Sequence, residues 1–483
     1  MEHALETPEV ASSAFTAEFT LSLTDSTTFS RLSGDCNPLH IDPVAARRLS
    51  FGGSVTHGVH LFARTLDELA SRGMFLDREP AALSGSFDNP VLTGTPVTLR
   101  VNVNNEKIRF EGMAAGRRAY SGSVELRTAR TRTFSIDDAN FAPAQPQDRD
   151  VPSIGDEGNA PLRIDRALLG TLFPALARLP AVQWLADLFA TTQIVGMICP
   201  GLHSIYSSFK LRAIDPPGAR RSMHYRVNGV ERRFNLLRMQ VDGACLAGTV
   251  EAFVRSRPVA QRSIKEVASV IAPDAFSGHR ALIVGGSRGL GELVAKVLLA
   301  GGADVTITYA RGKADAESLR EQAEGLGRVC NIQRLDALSL QQADEWPGST
   351  RFSHVYFFAS PLIARNVGPW NESLFQQFAA MYVTALARLA EALLTRRSRQ
   401  EPSLRFLYPS TIFVTRPESG FAEYVAAKAA GEALCDQLQR RFGATFLKPR
   451  LPRMRTDQTS ALAAAEAPDP LPFILEVVRD MHA

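Results

Sequence analysis

Residues 32–42 read LSGDCNPLHID, and residues 51–58 read FGGSVTHG. The first stretch places the carboxylate of Asp35 and the imidazole of His40 five positions apart, in a polar loop ahead of a predicted apolar helix. A carboxylate and an imidazole that both reach one water molecule can act on it as acid and base. Asp, Asn and His are also frequent in turns, so a purely structural loop is the alternative interpretation.

The surrounding sequence predicts one long helix wrapped by an antiparallel sheet. From His57 onward, apolar residues recur at helical spacing and give the helix a buried face: Val59, Phe62, Leu66 and Leu69. Strand-like runs follow at residues 82–87, 97–103 and 118–127. This first domain is predicted to span residues 1–140 and to have an α+β fold.

A second copy of the same plan is predicted at residues 160–256. The dipeptides Gly-Met and Ser-Phe follow an apolar helix in both copies, at residues 73–74 and 86–87 and again at residues 196–197 and 208–209. This self-similarity indicates an internal duplication. The loop before the second helix, residues 176–182, carries no Asp/His pair, so only the first copy is expected to act on water.

The rest of the chain, residues 277–483, alternates between strand-like and helical segments. Predicted strands lie at residues 281–284, 304–309, 354–358, 404–407 and 445–448. Helical stretches such as 290–299 and 375–394 lie between them. Such alternation predicts an α/β doubly wound parallel sheet of the Rossmann-like kind. Linkers rich in Pro, Asp and Gly, near residues 137–161 and 255–279, separate the three domains.

Composition limits the kind of protein this is. The 483 residues carry a net charge of +4 that is spread along the chain, which argues against nucleic-acid binding. No apolar run is long enough for a membrane helix, and the first 18 residues lack the apolar core of a signal peptide. Five scattered cysteines favour reduced thiols, and no Cys/His cluster has metal-ligand spacing. We therefore expect a cytoplasmic enzyme without a metal site.

A second candidate site lies in the third domain. Residues 284–291 read VGGSRGLG, a glycine-rich turn between a predicted strand and a predicted helix, where a dinucleotide pyrophosphate can bind. Tyr424 and Lys428 face the same side of a helix, where a cation can stabilise a phenolate. Ser410, 14 residues before Tyr424, could hold a substrate carbonyl. Both motifs also occur by chance, so the functional interpretation depends on the strand–turn–helix context.

The first domain resembles the MaoC-type (R)-specific enoyl-thioester hydratases, which have the hot-dog fold. The resemblance rests on the two stretches quoted first, together with FDNPVLTG at residues 87–94. It implies Asp35 and His40 as the catalytic pair. It also implies Asn37 as an orienting neighbour of the substrate and the Gly58 N–H as a donor to the thioester carbonyl. Many members are double hot-dogs with one degenerate half, which agrees with the duplicated second copy.

The third domain resembles the short-chain dehydrogenase/reductase family over about residues 279–460. The resemblance implies catalysis by Ser410, Tyr424 and Lys428. It implies a cofactor site formed by Gly285, Ser287, Arg288, Gly289, Gly291, Arg311 and Asp336. The three glycines would face the pyrophosphate, and Asp336 the adenine. The strand ending at Tyr309 has no acidic residue for a ribose 2′-hydroxyl, whereas Arg288 and Arg311 suit a 2′-phosphate, so NADPH is the expected cofactor.

Three positions depart from the usual pattern of that family. The Asn-Asn-Ala-Gly segment is FFAS at residues 357–360, the relay asparagine is Tyr382, and the Pro-Gly after the last core strand is Pro452-Arg453. The serine–tyrosine spacing is one residue longer than usual, so Thr411 could replace Ser410. These departures leave open a cofactor-binding module without catalysis.

Together the sequence predicts a bifunctional enzyme that acts on acyl-CoA or acyl-carrier-protein thioesters. The third domain would reduce a 3-oxoacyl thioester with NADPH, and the first would interconvert the (R)-3-hydroxyacyl and trans-2-enoyl forms. Two alternatives remain: a reductase whose hot-dogs only bind the acyl carrier, and an oxidative hydratase/dehydrogenase acting on enoyl-CoA. A homodimer is expected.

Overall fold

The structure is a computed structural model. It describes residues 13–47, 51–104, 107–129, 136–215, 220–255, 257, 259–339, 352–363, 365–397, 402–456 and 467–482. The chain forms two compact units, the first ending at Arg257 and the second comprising the described residues from 259 onward. The two predicted copies in the N-terminal half of the chain therefore lie in one unit.

The first unit contains one ten-stranded antiparallel sheet, in the order β1-β3-β4-β5-β2-β7-β10-β9-β8-β6. Its strands are β1 (Ser13–Thr20), β2 (Arg78–Phe87), β3 (Pro96–Asn104), β4 (Lys107–Ala114), β5 (Arg117–Thr128), β6 (Glu157–Pro161), β7 (Ser204–Ala213), β8 (Ser222–Glu231), β9 (Leu236–Asp242) and β10 (Leu246–Val254). The order of the second five strands mirrors that of the first five, and β2 pairs with β7 where the halves meet. This symmetry agrees with the predicted duplication.

Each half of the sheet packs against one long helix, α4 in the first half and α7 in the second. The helices are α1 (Leu23–Ser33), α2 (Pro38–Ile41), α3 (Pro43–Arg47), α4 (Gly58–Ser71), α5 (Arg166–Leu172), α6 (Pro174–Ala177) and α7 (Gln183–Gln193), which continues as a π-helical turn (Ile194–Ile198). The predicted apolar face of α4 is fully buried, at Val59, Phe62, Leu66 and Leu69. Burial of each large apolar side chain contributes about 1.5–3 kcal/mol, so this face anchors the helix.

The segment predicted as the first linker packs against the second half. Its end forms β6, which pairs with β8 at the edge of the sheet. Upstream, Asp148 forms a bridge with Gly201, and the Gln147 N–H donates to the Met197 carbonyl at 2.8 Å. The second half therefore begins before residue 160, where the sequence placed its start.

The second unit contains a six-stranded parallel sheet, in the order β13-β12-β11-β14-β15-β17. Its strands are β11 (Arg280–Val284), β12 (Asp304–Tyr309), β13 (Cys330–Arg334), β14 (His354–Phe357), β15 (Arg405–Leu407) and β17 (Thr445–Leu447), and a separate pair is formed by β16 (Ser410–Thr411) and β18 (Arg450–Leu451). Counted from β11, this is the 3-2-1-4-5-6 order of a doubly wound dinucleotide-binding fold. The alternating pattern predicted this architecture.

Two apolar cores lie in the second unit, as expected for a sheet covered on both faces. The helices are α8 (Ile264–Ala268), α9 (Gly289–Ala300), α10 (Lys313–Glu324), α11 (Glu372–Ala379), α12 (Leu386–Leu394), α13 (Ala422–Phe442) and α14 (Leu471–His482), with a π-helical turn (Ala380–Ala385) between α11 and α12 and a 3-10 turn at Ile412–Val414. Residues of α9 and α14 fill one core, and residues of α12 and α13 fill the other.

The second unit begins before the predicted residue 277. Helix α8 starts with a capping box formed by Ser263 and Glu266, and its buried Ile264 and Val267 join the core that contains α9. None of the helices within the described ranges combines the length and the apolar character needed to cross a membrane. All five cysteines are buried free thiols.

Candidate active sites

The Asp35 carboxylate is held inside the first unit by the end of α1. Gly34 adopts a left-handed conformation (φ 79°), which ends the helix and turns Asp35 inward. Asp35 is 1% exposed. Its Oδ2 accepts from the Thr192 hydroxyl at 2.6 Å, and its Oδ1 accepts from the Asn37 N–H at 3.2 Å.

The His40 imidazole lies close to this carboxylate. Its Nδ1 is 2.6 Å from the Val55 carbonyl, so Nδ1 carries the proton and a neutral ring keeps a lone pair on Nε2. The ring stacks on His57, with centroids 3.8 Å apart. Side-chain atoms of Asp35, His40 and His57 all lie within 4.8 Å of one another. This spacing is close enough for one small polar ligand, such as a water molecule, to contact all three.

Asn37 fixes the loop that carries Asp35 and His40 against the segment between α7 and β7. Its amide Nδ2 donates to the Gly196 carbonyl at 3.0 Å and lies 3.4 and 3.3 Å from the carbonyls of Gly201 and Leu202. Its Oδ1 accepts from the Leu39 N–H at 3.1 Å and caps α2. The amide is therefore engaged by protein groups, and Asn37 orients the loop.

Gly58 is the first residue of α4, as the sequence predicts. The N–H groups of a first helical turn lack partners within the helix, and His57 makes no side-chain cap there. A Cβ at residue 58 would lie 2.7 Å from the Phe87 ring, so a glycine is required. An open helix N-terminus favours developing negative charge, such as that of a polarised thioester oxygen.

In the second unit, the glycine-rich turn lies between β11 and α9. Gly285 and Gly289 have positive φ angles of 80° and 61°. A Cβ at residue 291 would lie 2.3 Å from the Gly285 carbonyl oxygen, which leaves room only for glycine. Arg288 precedes the helix, and its side chain does not cap the N-terminus of α9. Within the turn, the Gly285 and Gly286 N–H groups donate to Thr308 at 3.2 and 3.1 Å. The N–H groups of the first turn of α9 are of the kind that bind a pyrophosphate.

The other predicted cofactor residues lie in the loops after β12 and β13. Arg311 is exposed next to Gly312, and a Cβ at residue 312 would lie 3.3 Å from the Ser287 hydroxyl. The structure therefore brings this loop to the glycine-rich turn. Asp336 is exposed, and its carboxylate accepts from the Leu338 N–H at 3.1 Å.

Tyr424 and Lys428 are both buried on α13. The Lys428 ammonium donates to the Pro409 carbonyl at 2.8 Å and lies 5.9 Å from the centroid of the Tyr424 ring. The Thr411 hydroxyl faces the Tyr424 hydroxyl and, against the larger effect of burial, lowers its pKa. The structure thus brings both predicted side chains to the segment that follows β15.

Ser410 faces a different partner from the one that the sequence predicts. Its hydroxyl donates to Glu432 at 2.5 Å, and Glu432 also accepts a bidentate pair from Arg450. Because adjacent residues in an extended strand point to opposite sides, only one of Ser410 and Thr411 can face Tyr424. The structure favours the alternative already noted, in which Thr411 replaces Ser410.

Tyr382, which the resemblance aligns with the relay asparagine, lies in the π-helical turn. Its hydroxyl is 2.6 Å from the Ser360 hydroxyl, and its ring centroid lies 3.8 Å from the Lys428 ammonium. An aromatic face next to a cation is stabilising. Two of the departures noted in the sequence, Tyr382 and Ser360, are therefore in contact.

Residues 7–123 match the family model of the MaoC like domain. The matched segment contains the four residues of the first unit that were predicted to act in catalysis or substrate binding: Asp35, Asn37, His40 and Gly58. Over 125 residues the chain is 32% identical to peroxisomal multifunctional enzyme type 2 of Drosophila melanogaster. That alignment covers 24% of this chain and 20% of the relative, so the chain matches about a fifth of the length of that enzyme. A MaoC-like domain implies the hot-dog fold, in agreement with the helix and antiparallel strands of this segment.

Solved structures similar to the chain include several oxidoreductases. A short-chain dehydrogenase from Burkholderia cenocepacia in complex with NADP is 22% identical, and the match covers 43% of this chain and 91% of that chain with a TM-score of 0.39. An Escherichia coli CFT073 short-chain dehydrogenase complexed with NADPH is 19% identical, covering 44% and 93%, also with a TM-score of 0.39. The assignment of the second unit to the doubly wound fold rests on its own strand order.

Burial acts on the Asp35 and His40 side chains in opposite directions. Burial raises the pKa of Asp35, and the nearby His40 charge opposes this effect. Burial lowers the pKa of His40, and the Asp35 charge opposes that effect. The charge of each group therefore affects the titration of the other. Burial also holds the pKa of His57 well below its usual value, so His57 stays neutral beside them.

Burial also acts on the Tyr424 and Lys428 pair. It lowers the pKa of Lys428 to about 7, against the opposing charges of Cys435 and Glu432. It raises the pKa of Tyr424 to about 12, against the hydrogen bond from Thr411. Burial thus opposes the acidification of the phenol that the sequence predicts.

Two residues that contact the loop carrying Asp35 and His40 were not predicted as site residues. Thr192 and Gly196 come from the second half of the sheet, at the end of α7 and in the π-helical turn. Their sequence distance from Asp35 exceeds 150 positions, so no local spacing could connect them. The Gly-Met dipeptide used to detect the duplication contained Gly196, but the repeat gave no indication of its contact with a carboxylate.

Proposed function

We propose that the first unit adds water to trans-2-enoyl thioesters and removes it from (R)-3-hydroxyacyl thioesters. The observation that carries this proposal is the convergence of a buried carboxylate and an imidazole lone pair next to the open N-terminus of α4. The (R) configuration and the thioester follow from the MaoC-type resemblance. The acid–base pair and the helix terminus are the groups that such a reaction requires.

The proposed reaction uses the Asp35–His40 pair as one acid and one base. In hydration, the water oxygen bonds to C3 while the C2=C3 π electrons move toward the thioester, whose oxygen accepts from the Gly58 N–H. One member of the Asp35–His40 pair takes a proton from the water, and the other gives a proton to C2. A proton then passes between the two groups and restores the starting state. Dehydration is the reverse.

Removing either member of this pair should abolish hydration. Asp35→Asn and His40→Ala should each lower kcat for an enoyl-CoA by about 10²–10⁴-fold, and the double variant should lose little more, because the two groups act as a unit. The loss of enoyl absorbance on adding purified full-length protein measures the rate. Asp242→Asn, which breaks a surface pair with Arg220, is the matched control and should keep full activity. Mild, additive losses in the single variants would show a structural loop.

We also propose that the second unit binds NADPH and reduces a 3-oxoacyl thioester. The backbone cradle at Gly285 and Gly291, together with the uncapped start of α9, would hold the pyrophosphate. When bound, NADPH supplies the hydride for C3. Tyr424 would give its phenolic proton to the resulting oxygen, and Thr411 would hold the substrate carbonyl. The alternative of a binding scaffold without catalysis is addressed by the same test.

The reductase proposal is tested by separating binding from chemistry. Tyr424→Phe should keep the NADPH Kd within about twofold, since it removes only a hydroxyl, and lower 3-oxoacyl reduction by about 10²-fold or more. Thr411→Val should also lower the rate, Thr411→Ser should restore it, and Ser410→Ala should leave it nearly unchanged. NADPH binding with a wild-type rate in Tyr424→Phe would remove the catalytic role. Absence of NADPH binding by the wild type would make the unit a scaffold.

A further inference from the structure

Helix α7, which packs against the second half of the sheet, supplies a hydrogen bond to the Asp35 carboxylate of the first half. Thr192, at the end of α7, is 3% exposed and donates its hydroxyl to Asp35 Oδ2 at 2.6 Å. An O–H···O⁻ bond of this length is typical of charge-assisted hydrogen bonds, which are stronger than neutral ones. The bond fixes the orientation of the carboxylate.

The π-helical turn after α7 makes room for the same carboxylate. A Cβ at residue 196 would lie 2.1 Å from Asp35 Oδ1, so any side chain there would displace Asp35. The Gly196 carbonyl also accepts from the Asn37 amide at 3.0 Å. Single π-helical turns within helices occur frequently at functional sites. Here the turn places bare backbone against an acidic side chain.

We propose that Thr192 and Gly196 are positioning residues for hydration, and that the second half, which has no acid–base pair of its own, completes the active site of the first half. The inference rests on the hydratase function proposed above. It assigns to the second half a role in chemistry, beyond that of closing the sheet at β2 and β7. Thr192 acts through Asp35, whereas Asp35 and His40 contact the reacting water.

This role predicts a change in pH dependence when the Thr192 hydroxyl is removed. The groups that face Asp35 are His40, His57, Thr192 and the Asn37 N–H, and those that face His40 are Asp35, His57, Arg255 and the Val55 carbonyl. The Thr192 bond stabilises ionised Asp35 and so lowers its pKa. Without that bond the pair takes up its second proton at a higher pH. The acidic limb of the kcat/KM profile should therefore move to higher pH.

The test compares Thr192→Val with Thr192→Ser in the full-length protein. With an enoyl-CoA as substrate, Thr192→Val should lower kcat by about ten- to a hundredfold, as expected for one lost hydrogen bond to a charged group, with KM within about twofold. The acidic limb should move up by about half a pH unit or more. Thr192→Ser keeps the hydroxyl and should restore both the rate and the profile. Gly196→Ala should lower kcat without a large loss of thermal stability.

The neighbouring Thr191 provides the matched control. It is also buried, and its hydroxyl donates to the Leu188 carbonyl at 2.7 Å, away from Asp35. Thr191→Val should keep the wild-type pH profile. If Thr192→Val does not fold, Thr192→Ala, which adds no bulk near Asp35, takes its place.

The possible outcomes separate this inference from the function on which it rests. An active wild type with an unchanged rate and profile in the folded Thr192 variant overturns the positioning role alone. A lower rate that Thr192→Ser does not restore also overturns it, since only packing would then explain the loss. A folded wild type without hydration activity overturns both the proposed function and this inference.

Discussion

At the residue scale, each unit removes an ionisable pair from water: Asp35 and His40 in the first, Tyr424 and Lys428 in the second. Different contacts offset the cost of this desolvation in the two pairs. Asp35 and His40 have opposite charges when ionised, and each reduces the cost of burying the other. Lys428 instead lies against the rings of Tyr382 and Tyr408, 3.8 and 4.9 Å from their centroids. Burial lowers the pKa of Lys428, and aromatic faces offset that cost less than a carboxylate would.

Cofactor choice is a residue-scale property of the loop after β12. Arg311 is exposed in this loop, next to Gly312, which lies close to the Ser287 hydroxyl. If it binds a 2′-phosphate, Arg311→Ala should raise the KM for NADPH by about ten- to a hundredfold, the effect of losing a hydrogen bond to a charged group, and leave the KM for NADH within about twofold. Steady-state reduction with each cofactor measures this. Arg328→Ala, which removes a bond to the Pro273 carbonyl, is the control. Equal changes for both cofactors would refute the assignment.

At the element scale, the C-terminal helix α14 is attached to the parallel sheet by histidines. His482 Nδ1 lies 2.6 Å from His279 Nε2, and His279 stacks on His354 with centroids 3.8 Å apart. His354 Nε2 lies 3.1 Å from the Met481 carbonyl, which also accepts from Arg405 at 2.9 Å. The end of the helix thus packs against His279 and His354, which burial holds neutral.

This cluster predicts an acid-sensitive second unit. Burial lowers the pKa of both His279 and His354 to about 4, with the His482 and Arg405 charges acting in the same direction. These folded-state pKa values lie below the ordinary value of about 6.5. The contribution of the two histidines to the free energy of unfolding is therefore fully present above pH 6.5 and is lost as the pH falls toward 4. The Tm of the second unit should decrease over this window.

Replacing one histidine should weaken that dependence. In His279→Gln the decrease in Tm between pH 6.5 and 4 should be smaller than in the wild type, since one group no longer takes up a proton. Circular dichroism at several pH values measures it, and His224→Gln in β8 is the control. An equally steep decrease in His279→Gln would show that other groups cause the acid sensitivity.

At the scale of the whole molecule, the two units have separate cores and separate candidate sites. The symmetric sheet of the first unit supports one acid–base pair, because the loop that precedes α7 has no counterpart of Asp35 and His40. A hydratase and a reductase on one chain would raise the local concentration of the intermediate that they exchange. The homodimer and the cytoplasmic location stay predictions.

Separate cores predict that the two activities can be removed independently. Asp35→Asn should keep wild-type NADPH reduction, and Tyr424→Phe should keep wild-type hydration. Calorimetry should show NADPH stabilising one of two unfolding transitions, by about 2.7 kcal/mol at a concentration of 100 times its Kd. Loss of both activities in either variant, or a shift of both transitions, would contradict this independence.

The sequence by itself determined what depends on neighbours along the chain. Helical spacing placed the buried face of α4, and alternation predicted the doubly wound sheet with most of its strands. The catalytic candidates Asp35 and His40 lie five positions apart, so a local motif could place them in one loop. Strand β4 was missed, although its first five residues, KIRFE, alternate between polar and apolar side chains as a half-buried strand does.

Only the tertiary structure decided which distant groups meet. The contact between Thr192 and Asp35 joins residues 157 positions apart, and it exists because the duplicated halves pair at β2 and β7. The choice of Thr411 over Ser410 depends on which side of a short strand faces α13, and a shift of one residue reverses that. Local periodicity encodes helices and strands, whereas such contacts depend on how complete elements pack, and spacing along the chain carries no record of that packing.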